Sequence, residues 1–258
     1  MSMTRFRAIS IAMLHRFTRI VLTLTCCVAL LATVWGGSTP ANAAPMAFSE
    51  SHSALEVFRE AYENRYTWDE DFPGYQAAVE VNWNGETYRG QLRLDADLNG
   101  EVTGIDNPEV TKEVSQQLNM LATHRHAVPF ERAHEEESFN FGEIRNNGAV
   151  EIDQIGGTPS YYLVRDRKIV QVNRLMGEVA VKVDLLGDRD TPNGYLGTQY
   201  RAVFTADATG ETLAKVNFED FYDKIGGYYI PTRQKIETVE TGKTSQVKID
   251  LTDVQLLS

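Results

Sequence analysis

The histidines are the residues whose types and spacing come nearest to a metal site. His124 and His126 form an H-x-H pair, and His134 follows beside an acidic run at residues 135–137. On a strand, such a pair would point both rings the same way and could bind zinc. The pair falls instead at a predicted helix end, where the helix dipole also favours histidine. We therefore expect no metal or other cofactor, and we keep these three histidines only as candidate ligands.

Catalytic motifs are missing from the sequence. It contains no G-x-S-x-G nucleophile elbow, no Walker loop, no G-x-G-x-x-G after a strand and no H-E-x-x-H. A Ser-His-Asp triad or a pair of acids can still form in space, because such residues need not be close in sequence. Nothing in the spacing favours one, so the sequence predicts no catalytic residues and a protein that is not an enzyme.

Composition and charge are those of a globular chain with an acidic surface. The chain has 258 residues, of which 42% are hydrophobic and 24% are charged, and its net charge is −11. An acidic surface repels phosphate backbones. We therefore expect no nucleic acid among the partners.

The N-terminal segment has the three parts of a secretory signal peptide. Basic residues without acidic ones precede an apolar run over residues 20–35, and Ala41-Asn42-Ala43 ends the segment. The run is shorter than the roughly 20 residues that a membrane span needs. The pattern predicts a signal peptide over residues 1–43 and export of the mature chain. Both cysteines of the chain, Cys26 and Cys27, would be removed with it.

The rest of the chain is predicted to be a flexible leader over residues 44–52 and a single domain over residues 53–258. Ser53-Ala-Leu-Glu56 fits a capping box and predicts a first helix. Asn107-Pro108-Glu109 combines a cap, a first-position proline and a first-turn acid, which predicts a second helix. That second helix should end near His124.

A β-hairpin is the clearest local signal. Two alternating runs, residues 75–83 and 86–94, flank Asn84-Gly85, and this dipeptide favours a type I′ turn with positive φ at both positions. A two-residue loop would pair Trp83 with Glu86 and place apolar side chains on one face. Five of these core-side residues are the candidates for contact with a ligand: Ala77, Val79, Val81, Tyr88 and Leu92.

Nine further alternating runs lie between Ser138 and Val254, separated by turn residues that include Gly187-Asp188. No helical crossover of useful length separates them, which favours an antiparallel meander. With the hairpin they make about eleven strands, and a sheet of that size should curl strongly. We predict an α+β fold that is mainly antiparallel β, a strongly curved open half-barrel with two covering helices.

Two stretches resemble known families. Phe58-Arg-Glu-Ala-Tyr-Glu-Asn-Arg-Tyr-Thr-Trp68, with Phe72-Pro-Gly-Tyr75, resembles an uncharacterised exported family of cyanobacteria and plastids, a domain of unknown function. The C-terminal pattern is similar to the LolA/LolB/LppX lipoprotein-sorting proteins and consists of Phe218-Glu-Asp-Phe-Tyr222, Gly226-Gly-Tyr-Tyr-Ile-Pro231 and Ile249-Asp-Leu-Thr-Asp-Val254. The first resemblance implies the periplasm or the thylakoid lumen. The second implies a LolA-like half-barrel whose hollow takes acyl chains or other lipids.

These observations predict an exported soluble protein, a monomer, that binds or carries a lipid or other apolar ligand in its concave sheet. The alternative is a non-enzymatic interaction or assembly protein that docks on membrane complexes of photosynthesis. An open apolar cavity of about 300–1,000 Å³ would favour the carrier. A hollow plugged by tryptophan and tyrosine would favour the docking protein.

Overall fold

The computed structural model describes residues 52–258. The predicted signal peptide over residues 1–43, and all but the last residue of the leader over residues 44–52, lie outside the described residues. The described chain forms three helices, which are α1 (Ala54–Glu63), α2 (Pro108–Arg125) and α3 (Phe130–Ala133).

The described chain also forms twelve strands, all in one sheet. They are β1 (Tyr75–Trp83), β2 (Glu86–Leu94), β3 (Gly100–Thr103), β4 (Ser138–Ile144), β5 (Val150–Ile155), β6 (Ser160–Arg165), β7 (Lys168–Met176), β8 (Val179–Thr191), β9 (Gly194–Ala206), β10 (Thr212–Ile225), β11 (Tyr228–Glu240) and β12 (Lys243–Leu256). Their order is β3-β2-β1-β12-β11-β10-β9-β8-β7-β6-β5-β4, and every pairing is antiparallel. The sheet is open, with β3 and β4 at its edges, so the predicted α+β half-barrel is confirmed.

The counts of about eleven strands and two helices are corrected to twelve and three. The missed strand, β3, has four residues and no apolar alternation, and it exists because it pairs with Gln91–Leu94 of β2. The missed helix, α3, is a single turn over four residues. The predicted break at Gly187-Asp188 is also wrong. These residues lie inside β8 at an irregularity in its pairing with β9, because a bulge bends a ladder without ending it.

The hairpin forms in the predicted register. Trp83 pairs with Glu86, and Asn84 and Gly85 have φ values of 50° and 96°. On the outer face, the Arg89 guanidinium lies 2.6 Å from the Glu80 carboxylate. Both helix starts also form as predicted. Ser53 and the side chain of Glu56 make a reciprocal capping box, and the Asn107 side chain accepts from two backbone N–H groups of α2.

All three helices lie against the inner face of the sheet, where they bury two separate groups of apolar side chains. The α2 core contains buried residues of α2, β1, β2 and β8–β12. The α1 core contains buried residues of α1, α3 and β4–β6. The connection from α1 to β1 contributes large aromatic side chains to the α2 core. Among them, the fully buried Trp68 stacks on Phe72 with ring centroids 4.2 Å apart. Part of the hollow is therefore filled by aromatic rings.

Candidate functional site: a cavity beneath the long helix

A small cavity lies between α2 and the inner face of the sheet, and we call it the α2 cavity. Its volume is about 50 Å³. Nine apolar or aromatic residues and four polar or charged ones line it. Carbon surface comes from Tyr75, Leu92, Val114, Leu118, Leu121, Tyr222, Pro231, Ile249 and Leu251, and polar atoms come from Gln117, Asp220, Arg233, Gln234 and the two tyrosine hydroxyls.

Helical periodicity explains which α2 residues reach the cavity. Val114, Leu118 and Leu121 recur at the spacing that places side chains on one face of a helix. Gln117 lies on the same face and is only 9% exposed. The opposite wall comes from five strands that the antiparallel pairing sets side by side, β2, β1, β12, β11 and β10. Residues from distant parts of the sequence therefore meet at this point.

Two polar atoms of the lining residues are buried without a hydrogen-bond partner in the described chain. They are Tyr75 Oη and Gln117 Oε1. Each orphaned buried polar group of this kind costs about 1–3 kcal/mol. Burial also raises the pKa of the Tyr75 phenol, so this hydroxyl remains neutral.

The Gln117 side chain is held in one orientation by its neighbour on the helix. Its Nε2 donates to Glu113 Oε1 at 2.8 Å. Because an ionised carboxylate only accepts hydrogen bonds, the amide nitrogen must face Glu113 and the amide oxygen must point away from it. Burial raises the pKa of the Glu113 carboxyl, whereas the hydrogen bond from Gln117 opposes the rise and favours the ionised form. Gln117, a lining residue, therefore carries an acceptor that has no donor in the described chain.

A chain of polar groups joins the end of α2 to β10 beside the cavity. Arg125, which is 6% exposed, donates from Nη2 to Tyr222 Oη at 2.9 Å and from Nη1 to the Tyr66 carbonyl at 3.2 Å. Tyr222 Oη donates in turn to Asp220 Oδ2 at 3.4 Å, and Gln234 Nε2 donates to Asp220 Oδ1 at 2.9 Å. Burial raises the pKa of the Asp220 carboxyl, whereas Arg125 opposes that rise. A carboxyl group thus borders the cavity with its oxygens already partly engaged.

The predicted ligand contacts fall in several places. Leu92 lines the α2 cavity, whereas Val79 and Val81 are buried elsewhere in the α2 core. Ala77 is buried and, with Leu92, borders a wide depression of mixed polar and apolar surface near the edge formed by β1–β3. Tyr88 is half-buried, and its hydroxyl donates to Glu86 at 2.5 Å. A role for these five residues in ligand binding stays a prediction.

The three candidate metal ligands do not form a cluster. His124 lies in the last turn of α2 and His126 caps its end, and both are exposed. His134 lies in the α1 core, where its Nδ1 is 2.5 Å from Glu137 Oε2. Burial lowers the pKa of this imidazole, although Glu137 opposes the shift. Across residues 52–258, no three histidine, cysteine, aspartate or glutamate side chains are placed to hold a metal ion.

The sequence did not single out three residues of the cavity, namely Tyr75, Gln117 and Asp220. Only Gln117 carried a local signal, because it is a polar residue on the apolar face of a predicted helix. The other two are separated by 145 positions in the chain, and they meet only through the strand order.

No helix in the described part of the chain is long and apolar enough to span a bilayer.

The fold and the cavity define a class of protein: an open antiparallel sheet covered on its inner face by helices, with a small apolar cavity beneath the longest one. The chain belongs to the family described as "Protein of unknown function (DUF3386)", which matches residues 49–257. The predicted membership of a family of unknown function is confirmed. Restriction of that family to cyanobacteria and plastids stays a prediction. No curated protein matches the chain.

Several solved structures are similar to this chain at low identity. A domain from Vibrio parahaemolyticus, described as an outer membrane lipoprotein-sorting protein domain, is 10% identical with a TM-score of 0.31 over 79% of this chain and 92% of that chain. A DUF1329 family protein from Desulfovibrio piger is 11% identical, with a TM-score of 0.26 over 80% and 93%. One chain of the MucA/MucB complex of Pseudomonas aeruginosa is 8% identical, with a TM-score of 0.22 over 80% of this chain and 99% of that chain. At these scores the function must be argued from this chain's own geometry.

Proposed function

We propose that this protein binds a lipid or another apolar small molecule in the α2 cavity and does not act as an enzyme. One observation carries the proposal. The lining is mainly apolar, yet it buries Tyr75 Oη and Gln117 Oε1 without partners. Apolar pockets with a few convergent polar groups are typical of small-molecule sites.

The size of the cavity determines how a ligand would enter. Its volume of about 50 Å³ is well below the 300–1,000 Å³ or so of common ligand pockets. An acyl chain or a ring system therefore fits only if α2 moves away from the sheet. Burial of each methylene group would contribute about 0.8 kcal/mol, and the cost of moving α2 would reduce the net affinity. We therefore expect weak to moderate binding.

Export is part of the proposal. The basic, apolar and A-x-A parts of the N-terminus support it, and the destination is the periplasm or the thylakoid lumen. Protein purified from its own host should begin at Ala44 or within a residue or two of it. N-terminal sequencing that found Arg5 or Met13 retained would contradict this.

A second candidate function is supported by the aromatic side chains that fill part of the hollow. Trp68 and Phe72 occupy space where a carrier would have a larger opening. A filled hollow favours the interaction or assembly protein that docks on photosynthetic membrane complexes. Failure of the intact protein to bind any apolar probe would make this the better hypothesis.

The test uses N-phenylnaphthylamine, a neutral apolar dye whose fluorescence rises when it leaves water. Titration of the purified protein should give saturable binding. Leu121→Trp adds a ring at the half-buried lining position on α2 and should weaken that binding at least tenfold. Leu55→Trp is the matched control, since Leu55 lies on α1 at 37% exposure. Equal binding by both variants would place the dye outside the α2 cavity.

A further inference from the structure

We infer that the ligand of the α2 cavity is an apolar molecule that carries a hydrogen-bond donor, a hydroxyl group being the simplest example. The inference rests on the proposed function and narrows its ligand class. It follows from the polar atoms that the cavity leaves unpaired. Those atoms are Gln117 Oε1 and Tyr75 Oη.

Gln117 requires a donor from any molecule that pairs with it. Its amide nitrogen is engaged by Glu113 at 2.8 Å, and its Oε1 is the atom without a partner in the described chain. An amide oxygen accepts hydrogen bonds and cannot donate them. A hydrocarbon, an ether or an ester would leave this oxygen unpaired, whereas a hydroxyl hydrogen would satisfy it.

The two other polar groups are compatible with a hydroxyl ligand. Tyr75 Oη can either donate or accept, so it can pair with the oxygen of a ligand hydroxyl. Asp220 is an acceptor when ionised, and its Oδ1 is already engaged by Gln234. An ionised carboxylate or phosphate in the same space would be repelled by Asp220 in that state and would offer Gln117 no donor. Arg233 also lines the cavity, but its guanidinium is paired with Asp250, so the unpaired groups of the wall favour a ligand that carries a donor over a hydrocarbon.

Water is the competing occupant, because it also donates hydrogen bonds. A cavity of about 50 Å³ exceeds the roughly 10–15 Å³ that one water molecule needs. Water bonded to Gln117 would satisfy the same oxygen without any selectivity among organic ligands. A series of ligands that share one alkyl chain separates the two cases. A preference for the alcohol over the ether appears only if the ligand itself, and not water, contacts Gln117.

The experiment measures displacement of N-phenylnaphthylamine by decanol, by decyl methyl ether and by decane. The alcohol and the ether differ in whether the terminal oxygen carries hydrogen or methyl. One added hydrogen bond to a buried, otherwise unpaired group corresponds to about a tenfold difference. We expect decanol to bind at least tenfold more tightly than the ether, and the ether no more tightly than decane.

Two variants test whether residues of the cavity wall cause the preference for decanol over the ether. Gln117→Leu removes the acceptor at similar size and should reduce the alcohol-to-ether ratio to within twofold, and Tyr75→Phe should reduce it in part. Gln116→Leu is the matched control, because Gln116 is half-buried on α2 and does not line the cavity. It should keep the full ratio. Thermal unfolding should show both Gln117→Leu and Tyr75→Phe folded, since each removes a buried orphan group.

The outcomes distinguish failure of this inference from failure of the proposed function. Equal binding of decanol, ether and decane, all lost in Leu121→Trp, would overturn the inference and leave the apolar site standing. A preference for decanol that persists in Gln117→Leu would also overturn it. Absence of any displacement, together with absence of dye binding, would overturn the proposed function itself.

Discussion

The α1 core and the α2 core use the same arrangement, a helix laid across an antiparallel sheet, but they differ in how completely it is filled. In the α1 core, the Phe58 ring lies with its centroid 4.3 Å from that of Tyr162 and 4.7 Å from that of Phe139. In the α2 core, the longer helix leaves the α2 cavity open beneath it. The difference indicates that the α2 side is where a ligand can be added without displacing a packed ring.

The two cores also differ in where their unpaired polar atoms lie. A hydrogen-bonded chain crosses the α1 core: His134 pairs with Glu137 at 2.5 Å, Gln154 donates to Glu137 at 2.7 Å, and Tyr162 donates to Gln154 at 2.8 Å. In that chain, His134 Nε2 is the buried atom without a partner in the described residues. In the α2 core, two unpaired atoms belong to residues that line one cavity. Unpaired polar atoms at a cavity are groups that a ligand can satisfy.

Truncation of a side chain in the filled core should give the largest effect. Phe58 is 1% exposed, so Phe58→Ala should lower the free energy of unfolding by about 3–5 kcal/mol. Urea denaturation measures the change. Dye binding should stay the same, because the truncated ring lies in the other core.

The counterpart in the α2 core is Leu118→Ala, at a residue that lines the cavity and is 5% exposed. We expect a smaller loss of about 2–3 kcal/mol, because the helix side chains there already border empty space. This variant should change the affinity for the dye. Altered dye binding in Phe58→Ala and unaltered binding in Leu118→Ala would reverse the comparison.

Local signals predicted the parts of the fold that depend on neighbouring residues. Asn84-Gly85 specified the hairpin and its register, and Asn107 with Pro108 specified where α2 begins. The extent of β8 was not predictable in this way, because Gly187 and Asp188 are kept in the sheet by their pairing with β9. A turn signal in the sequence contains no information about the strand that lies alongside.

The cavity was less predictable than the fold for a related reason. Four strand pairings, from β2 through β1, β12 and β11 to β10, bring Tyr75 and Asp220 to one place, and each pairing depends on the ones before it. The hairpin candidates came from the correct face of the sheet, and Leu92 is among the lining residues. Which residues of that face border empty space depends on where α2 lies.

A smaller loss of stability is expected where Arg125 joins α2 to the sheet. Arg125→Lys keeps the charge but cannot make both hydrogen bonds, to Tyr222 and to the Tyr66 carbonyl, with one compact ammonium group. We expect it to lower the free energy of unfolding by about 1–3 kcal/mol. Arg89→Lys, at an exposed ion pair with Glu80, should change it by less than about 0.5 kcal/mol. Similar losses in both variants would show that Arg125 has no special role.

The smallest effect should be a pH dependence that belongs to the α1 core. Burial lowers the pKa of His134 in the folded protein, whereas an unfolded histidine titrates near about 6.5. The contribution of His134 is therefore complete above that pH and decreases as the pH falls below it, because the unfolded chain takes up the proton first. His134→Gln keeps a donor for Glu137 and should reduce the slope of the melting temperature against pH. His126→Gln, at an exposed position, should keep the slope, and an unchanged slope in His134→Gln would contradict the assignment.

Photolabelling tests the location of the ligand site most directly. A decanol analogue with a diazirine in its chain would be irradiated with the intact protein, and the labelled peptides would be located by mass spectrometry. We expect labels on α2, between Val114 and Leu121, and on β10–β12, with an excess of decanol preventing them. Labels confined to α1, α3 or β4–β6, or labels that decanol does not prevent, would contradict a ligand site beneath α2.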